Sequence, residues 1–224
     1  MHHELRVLPD ATAVADAAAE VIAGRVRDAV AERGTAAIAV SGGRTPWAML
    51  ATLRDLPAGQ VPWRELVVFQ VDERVAAEGD PERNLTHLRD ALAGRPASIV
   101  PMPVDDPDLD AAAARYADSL PAVLDLVHLG LGADGHTASL VPGDLVLAVA
   151  DRLVALTDQP YQGRRRMTLT YRALAHAREL LWVVTGAEKA EALAALLAGS
   201  TDIPAGRVTA ARSLILADRA AASG

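Results

Sequence analysis

Short apolar runs alternate along the chain with longer stretches in which apolar side chains recur every three or four positions. The runs Ala36–Val40, Leu66–Val71, Val123–Leu129 and Leu180–Thr185 are continuous and rich in Val, Ile and Leu, the pattern of strands buried on both faces. Glu4–Leu8, Ser98–Pro101, Leu153–Leu156 and Ser213–Leu216 read as shorter strands, and Arg164–Thr170 alternates after its arginines. Between them, Val14, Ala18, Ile22, Val26 and Val30 fall on one helical face, with Asp10 placed to cap that helix and Gly34 to end it. Further helices are predicted from Trp47 to Leu53, over Asn84–Leu92, over Asp105–Leu120 with Asp106 or Asp108 near its start, over Tyr171–Ala177 and over Ala187–Leu197, with a helical turn at Leu145–Ala150. Strands that alternate with helices predict an α/β fold, a mostly parallel sheet covered by helices on both faces. No internal repeat, low-complexity linker or charge block divides the chain, so residues 1–224 are expected to form a single domain.

Three predicted strand ends carry chemistry. After Ala36–Val40 comes Ser41-Gly42-Gly43-Arg44-Thr45-Pro46, a glycine loop with Thr45 as expected N-cap and Pro46 at the first helical position. Strand, glycine loop and helix N-terminus together make an anion site, because free backbone N–H groups and the helix dipole face the ligand. The loop has neither the GK[ST] of a Walker sequence nor GxGxxG spacing. After Leu66–Val71 comes Asp72-Glu73-Arg74, which taken alone reads as a solvated turn. After Val123–Leu129 comes Gly130-Leu131-Gly132-Ala133-Asp134-Gly135-His136-Thr137, glycines around one carboxylate and one imidazole. A strand that ends in such a loop is where an open α/β sheet binds its ligand.

His136 is the natural general base, since imidazole titrates near working pH. Asp134 either fixes its tautomer or binds substrate hydroxyls. Ser139 lacks the strained elbow of a nucleophile, so no Ser-His-Asp relay is assigned. His128 inside its strand reads as a packed residue, as do His87 and His176 on predicted helices. Phosphorylated, hydroxylated small molecules suit this set of groups.

Composition narrows the classes. Of 22 Lys and Arg residues only Lys189 is lysine, a position where a compact ammonium stands in a chain that otherwise uses the planar guanidinium. A net charge of −7 with no basic stripe argues against nucleic acid. The absence of cysteine excludes a disulfide framework, a thiolate nucleophile and Cys-based zinc, and makes the cytoplasm the expected compartment. No apolar run approaches a membrane span and the first residues carry no signal pattern, so no membrane partner is expected.

In SGGRTP at 41–46, VDERV at 71–75, Asn84, GLGADGHTASLVPG at 130–143, RMTLT at 166–170 and GAEKAEAL at 186–193, the chain resembles the 6-phosphogluconolactonase family, over most of its length. That family belongs to a larger group of Rossmann-like sugar-phosphate enzymes that includes glucosamine-6-phosphate deaminase. The resemblance implies hydrolysis of 6-phospho-D-glucono-1,5-lactone in the oxidative pentose phosphate pathway, without metal or organic cofactor. By that resemblance Ser41, Gly42, Gly43, Arg44 and Thr45, with Arg166 and Lys189, hold the 6-phosphate. His136 activates water, and Asp72, Arg74, Asp134 and Thr137 orient the sugar and the groups around it. The oxyanion donor is either a backbone N–H of the 130–137 loop or an arginine, and the chain is expected as a monomer or small homo-oligomer.

The nearest alternative is the deaminase, which has a Glu five residues after the His; here Val141 stands there, unable to ionise or hydrogen-bond. A sugar-phosphate sensor is a further alternative, and would need the phosphate cradle but not His136. The chain departs from the lactonase pattern at Val141, where an aromatic is usual, at Asn84-Leu85, where Asn-Tyr is usual, and in a shortened segment after Gly143. These departures bear on the rim of the pocket.

Overall fold

A computed structural model describes residues 2–223. In chain order the elements are β1 (Glu4–Leu8), α1 (Ala11–Arg33), β2 (Ala36–Val40), α2 (Arg44–Asp55), β3 (Leu66–Gln70), β4 (Asp72–Arg74), α3 (Asn84–Ala91), β5 (Ser98–Val100), α4 (Leu109–Ser119), β6 (Leu126–Leu129), β7 (Val154–Leu156), β8 (Arg166–Leu169), α5 (Tyr171–Leu174), β9 (Glu179–Val184), α6 (Ala190–Leu197) and β10 (Arg212–Asp218). Seven strands form one sheet in the order β1-β10-β9-β6-β2-β3-β5, every pair parallel. The expected parallel α/β sheet is therefore present.

The period-two side-chain alternation of the strands divides the core into two layers. Ala36, Ile38 and Val40 of β2, with Leu181 and Val183 of β9, pack against Val14, Ile22 and Val26 of α1 and Met49, Leu50 and Leu53 of α2. Ala39, Phe69, Val127, Leu129, Trp182 and Ile215 face the other way, against Tyr116 of α4 and Leu193 and Leu196 of α6. Asp10 caps α1 as expected, its side chain accepting from the Ala13 amide at 2.9 Å, and Gly34 ends it at φ 77°. Asp108 caps α4, whose helix starts later than the sequence pattern suggests because Pro107 precedes the cap.

Four expectations change. Asp72–Arg74 is not a solvated turn: it is β4, with Glu73 fully buried. β4 pairs antiparallel with β8, and β8 with β7, giving a small second sheet in the order β4-β8-β7 that covers one end of the large one. Thr45 is not the N-cap of α2. Gly43 takes that place at φ 139°, with no side-chain cap, because its backbone turns in a way that a Cβ disfavours. The helix expected over Ala187–Leu197 begins as a 3₁₀ turn, Ala187–Lys189, and becomes α-helical at Ala190. His176 sits in the turn just beyond α5, and both it and His87 are exposed rather than packed. Among the described residues, no helix is long and apolar enough to cross a membrane.

Candidate active site

β2 lies between β6 and β3. From it the chain builds outward through β3 and β5 on one side, and through β6, β9 and β10 on the other. The carboxyl ends of β2 and β6 thus meet where the winding reverses, the position at which such sheets bind ligands. A cleft of about 290 Å³ opens there, walled by the loops after β2, β6 and β9 and by the small sheet. Of the predicted residues, Ser41, Gly42, Gly43, Arg44, Thr45, Asp72, Arg74, His136, Arg166 and Lys189 all line it.

His136 and Asp134 form a pair. His136 Nδ1 lies 2.5 Å from Asp134 Oδ1, which also accepts the His136 amide at 3.2 Å. A carboxylate at Nδ1 assigns the proton there and leaves the lone pair on Nε2. Partial burial pushes the Asp134 carboxyl up, but the hydrogen bond and charge of His136, with the backbone N–H groups, outweigh it and hold the group below its ordinary value. Asp134 is therefore an anion beside the imidazole.

The loop has no room to spare around this pair. A Cβ on Gly132 would lie 2.0 Å from His136 Nδ1 and 2.5 Å from Asp134 Oδ1. The loop is closed by the Gly132 amide donating to the His136 carbonyl at 2.8 Å. Thr137 is buried and does not line the cleft. Its hydroxyl donates to the Gly130 carbonyl at 2.8 Å and so braces the loop from behind. Ala138 is held at φ 53°, a left-handed conformation that costs an alanine about 1–2 kcal/mol. Its neighbour Ser139 secures the bend, its hydroxyl donating to Asp72 Oδ2 at 2.6 Å and its amide to Thr168 Oγ1 at 3.1 Å.

The opposite end of the cleft is cationic and rich in free donors. The amides of Gly43, Arg44 and Thr45, at the start of α2, have no acceptor among the described residues. Ser41 anchors the loop, its amide donating to His128 Nδ1 at 3.3 Å and its hydroxyl to the His128 carbonyl at 3.1 Å. Thr45 Oγ1 shares a 2.9 Å hydrogen bond with Thr185 Oγ1, which ties the loop to the end of β9.

Arg166 is 6% exposed and its Nε has no partner among the described residues. Its Nη1 lies 3.8 Å from Asp72, and burial pushes its guanidinium below the ordinary value against the pull of Asp72. A buried guanidinium with a donor to spare is a receptor for an anion. The ammonium of Lys189, a residue half-buried at the turn before α6, has no hydrogen-bond or ion-pair partner among the described residues, although the backbone amide donates to the Gly186 carbonyl at 3.0 Å.

Sequence reasoning gave three contributors no role in the site. Tyr161 lies against the His136–Asp134 pair, its ring 5.2 Å from that of His136 and edge-on to it. It sits at 157–163, between the predicted strands Leu153–Leu156 and Arg164–Thr170, which reads as a loop; the available signal was Gly163 just before the second strand, a residue that permits a tight hairpin turn. Asn84 carries Arg74, accepting from its Nη1, and donates to the Asp72 carbonyl at 2.9 Å. Glu73, beneath both, accepts from the amides of Arg74 and Asn84 at 2.7 Å each. Among the described residues no group of three or more His, Cys, Asp or Glu is placed to hold a metal ion.

A family profile described as "Glucosamine-6-phosphate isomerases/6-phosphogluconolactonase" matches residues 9–216. The chain belongs to this family. It is 36% identical over 244 residues to the 6-phosphogluconolactonase of Mycobacterium tuberculosis, an alignment covering 100% of this chain and 98% of that protein. The crystal structure of 6-phosphogluconolactonase from Thermotoga maritima superposes with a TM-score of 0.85 at 26% identity, covering 97% of this chain and 100% of that one. A monomeric glucosamine-6-phosphate deaminase superposes as well, with a TM-score of 0.86 at 21% identity over 98% of this chain and 99% of that one. Fold alone therefore does not separate the two activities in this family; the residues of the site must.

Proposed function

We propose that this member of the family hydrolyses 6-phospho-D-glucono-1,5-lactone to 6-phospho-D-gluconate, with His136 as general base. The observation that carries the reading is one cleft with the His136–Asp134 pair at one end and the unfilled α2 amides, Arg166 and Lys189 at the other. The phosphate is received by the amides of Gly43, Arg44 and Thr45, with Arg166 and Lys189 supplying charge. The lactone carbonyl then lies toward His136. Nε2 takes a proton from water as its oxygen bonds to C1, and Asp134 stabilises the imidazolium that forms. As the tetrahedral centre collapses, the C1–O5 bond breaks and the imidazolium returns the proton to O5, leaving a carboxylic acid that ionises.

General-base catalysis of this kind contributes about 10²–10⁴-fold. A lactone is already an activated ester, so little more is required than a base and a donor for the developing oxyanion. Val141, five residues beyond His136, supplies no ionisable group for a ring-opening relay, which favours hydrolysis over deamination. The whole chain acts as one cytoplasmic domain, as a monomer or small homo-oligomer, with no organic cofactor.

Freshly generated 6-phosphogluconolactone tests the reading. Wild type is expected to hydrolyse it well above the spontaneous rate. His136→Ala is expected to lose that acceleration by about 10²-fold or more while still binding 6-phosphogluconate. A wild-type rate equal to the spontaneous one, with sugar phosphates bound, would point to a sensor instead.

A further inference from the structure

We propose that Tyr161 is a positioning residue of this reaction, its hydroxyl fixing the Asp134–His136 pair from the tip of the β7–β8 hairpin and tying it to the Arg166 side of the cleft. The kinetic part of the argument rests on the lactonase reading; the geometric part does not.

Tyr161 OH lies 3.5 Å from Asp134 Oδ2 and 3.4 Å from His136 Nδ1. The Nδ1 proton is already committed to Asp134 Oδ1 at 2.5 Å, so Nδ1 has no lone pair to offer the tyrosine. The phenol therefore donates to Oδ2, for which it is the one hydrogen-bond donor among the described residues. Each carboxylate oxygen then has its own partner, the imidazole on one and the phenol on the other. Asp134 is 42% exposed in its side chain, and without the phenol it is held through Oδ1 alone, by the imidazole and the His136 amide, with Oδ2 left unpartnered.

The hairpin tip is built to deliver this contact. Gln162 at φ 52° and Gly163 at φ 81° form the paired positive-φ turn that suits a two-residue hairpin. Tyr161 and Arg164 close it, amide to carbonyl, at 2.9 and 3.4 Å. A glutamine held left-handed beside a reactive cleft is a conformation that the surrounding structure must impose. The same tip holds the buried guanidinium: Arg166 Nη2 donates to the Tyr161 carbonyl and to Gln162 Oε1, both at 3.3 Å, and the guanidinium lies 5.4 Å from the Tyr161 ring centre. An anion drawn to Arg166 thus loads the same tip that orients the base.

Tyr161→Phe is the decisive variant, since it keeps the ring and the contact with Arg166 and deletes only the hydroxyl. The imidazole of His136 is followed by NMR titration, which needs no substrate. Besides the phenol, the charged groups that share its surroundings are Asp134 on its own loop, Arg44 at the start of α2, Asp72 and Arg74 on β4, Arg166 on β8, and Glu188 and Lys189 before α6; the variant leaves all of them in place. Without the phenol, the full charge of Asp134 falls on the imidazolium, so the His136 titration is expected to move to higher pH. The acid limb of kcat/KM is expected to move with it, and kcat to fall about 2- to 10-fold, as for loss of one hydrogen bond, with KM nearly unchanged. In an Asp134→Ala background the same change is expected to have no further effect, because the hydroxyl acts through the carboxylate.

An unmoved His136 titration with an unchanged pH profile, or full additivity with Asp134→Ala, would overturn the proposal while wild-type turnover left the lactonase reading intact. A wild type that does not turn over lactone, combined with a His136 titration that still moves, would overturn the activity and support the tyrosine.

Discussion

Glutamine in place of Glu73 changes no volume and removes one charge, yet it is expected to be among the most damaging single substitutions in this protein. Glu73 is fully buried, and both carboxylate oxygens are filled. Oε1 accepts from the amides of Arg74 and Asn84, at 2.7 Å each, and Oε2 accepts from the Leu85 amide and Gln70 Nε2, at 2.8 Å each. Arg83 Nε, on a side chain 3% exposed, lies 3.6 Å from Oε2 and has no hydrogen-bond acceptor. A glutamine has one acceptor oxygen, so one of the two donor pairs would face an NH₂ group, at about 1–3 kcal/mol for each donor left unsatisfied. Arg83 would also be buried without its counter-charge, and breaking such a pair costs about 3–5 kcal/mol. The two effects share the same atoms, so the expected loss is about 4 kcal/mol rather than their sum. Equilibrium urea denaturation followed by tryptophan fluorescence reads this directly, and with a slope near 2 kcal/mol/M the midpoint should fall by about 2 M. The folded fraction should also lose kcat/KM, because Asn84 and Arg74 are held in the cleft through this carboxylate. A midpoint within about 0.3 M of wild type would refute the accounting of donors and charge.

Two further outcomes are expected. His128 is fully buried, and burial pushes its imidazole down to about 3 from an ordinary 6.5. Below pH 6.5 the unfolded chain therefore takes up a proton that the folded chain does not, and stability should fall toward pH 3, by about 2 kcal/mol between pH 7 and pH 5. His128→Asn should flatten that slope in urea titrations across pH, and equal slopes in the two proteins would contradict the assignment. Gly132→Ala places a methyl 2.0 Å from His136 Nδ1, so the pair must part. Lactonase activity should drop about 10²-fold, as for loss of the general base, with little change in melting temperature, and activity within about tenfold of wild type would contradict it.

Much of this was readable along the chain because local patterns report local physics. The four main strands, the cap at Asp10, the stop at Gly34 and the packed character of His128 follow from periodicity, capping chemistry and the company that each residue keeps. The cleft-lining residues of the loops after β2 and β6 were legible for a related reason. Glycines that let backbone approach a ligand must stand next to the groups that do the chemistry, so the signal is compact in sequence.

What the sequence could not tell was partnership across distance. Asp72-Glu73-Arg74 looks like a wet turn because three adjacent charges usually are. It becomes a buried strand only because β8 pairs with it and because the start of α3, eleven residues on, presents its amides to Glu73. Thr137 looked like a substrate contact and Tyr161 like part of a loop. Their places were exchanged by which way each backbone turned: Thr137 braces Gly130, and the left-handed pair at 162–163 aims Tyr161 at Asp134.

The sequence by itself determined most of the elements and the layered α/β architecture, and singled out His136 with Asp134 as the candidate pair, since each rests on residues within a few positions of one another. The tertiary structure alone decided how the small sheet closes the cleft, that Ser139 meets Asp72, and that Tyr161 reaches the His136–Asp134 pair. Those are contacts between residues tens of positions apart, and local propensity carries no term for them.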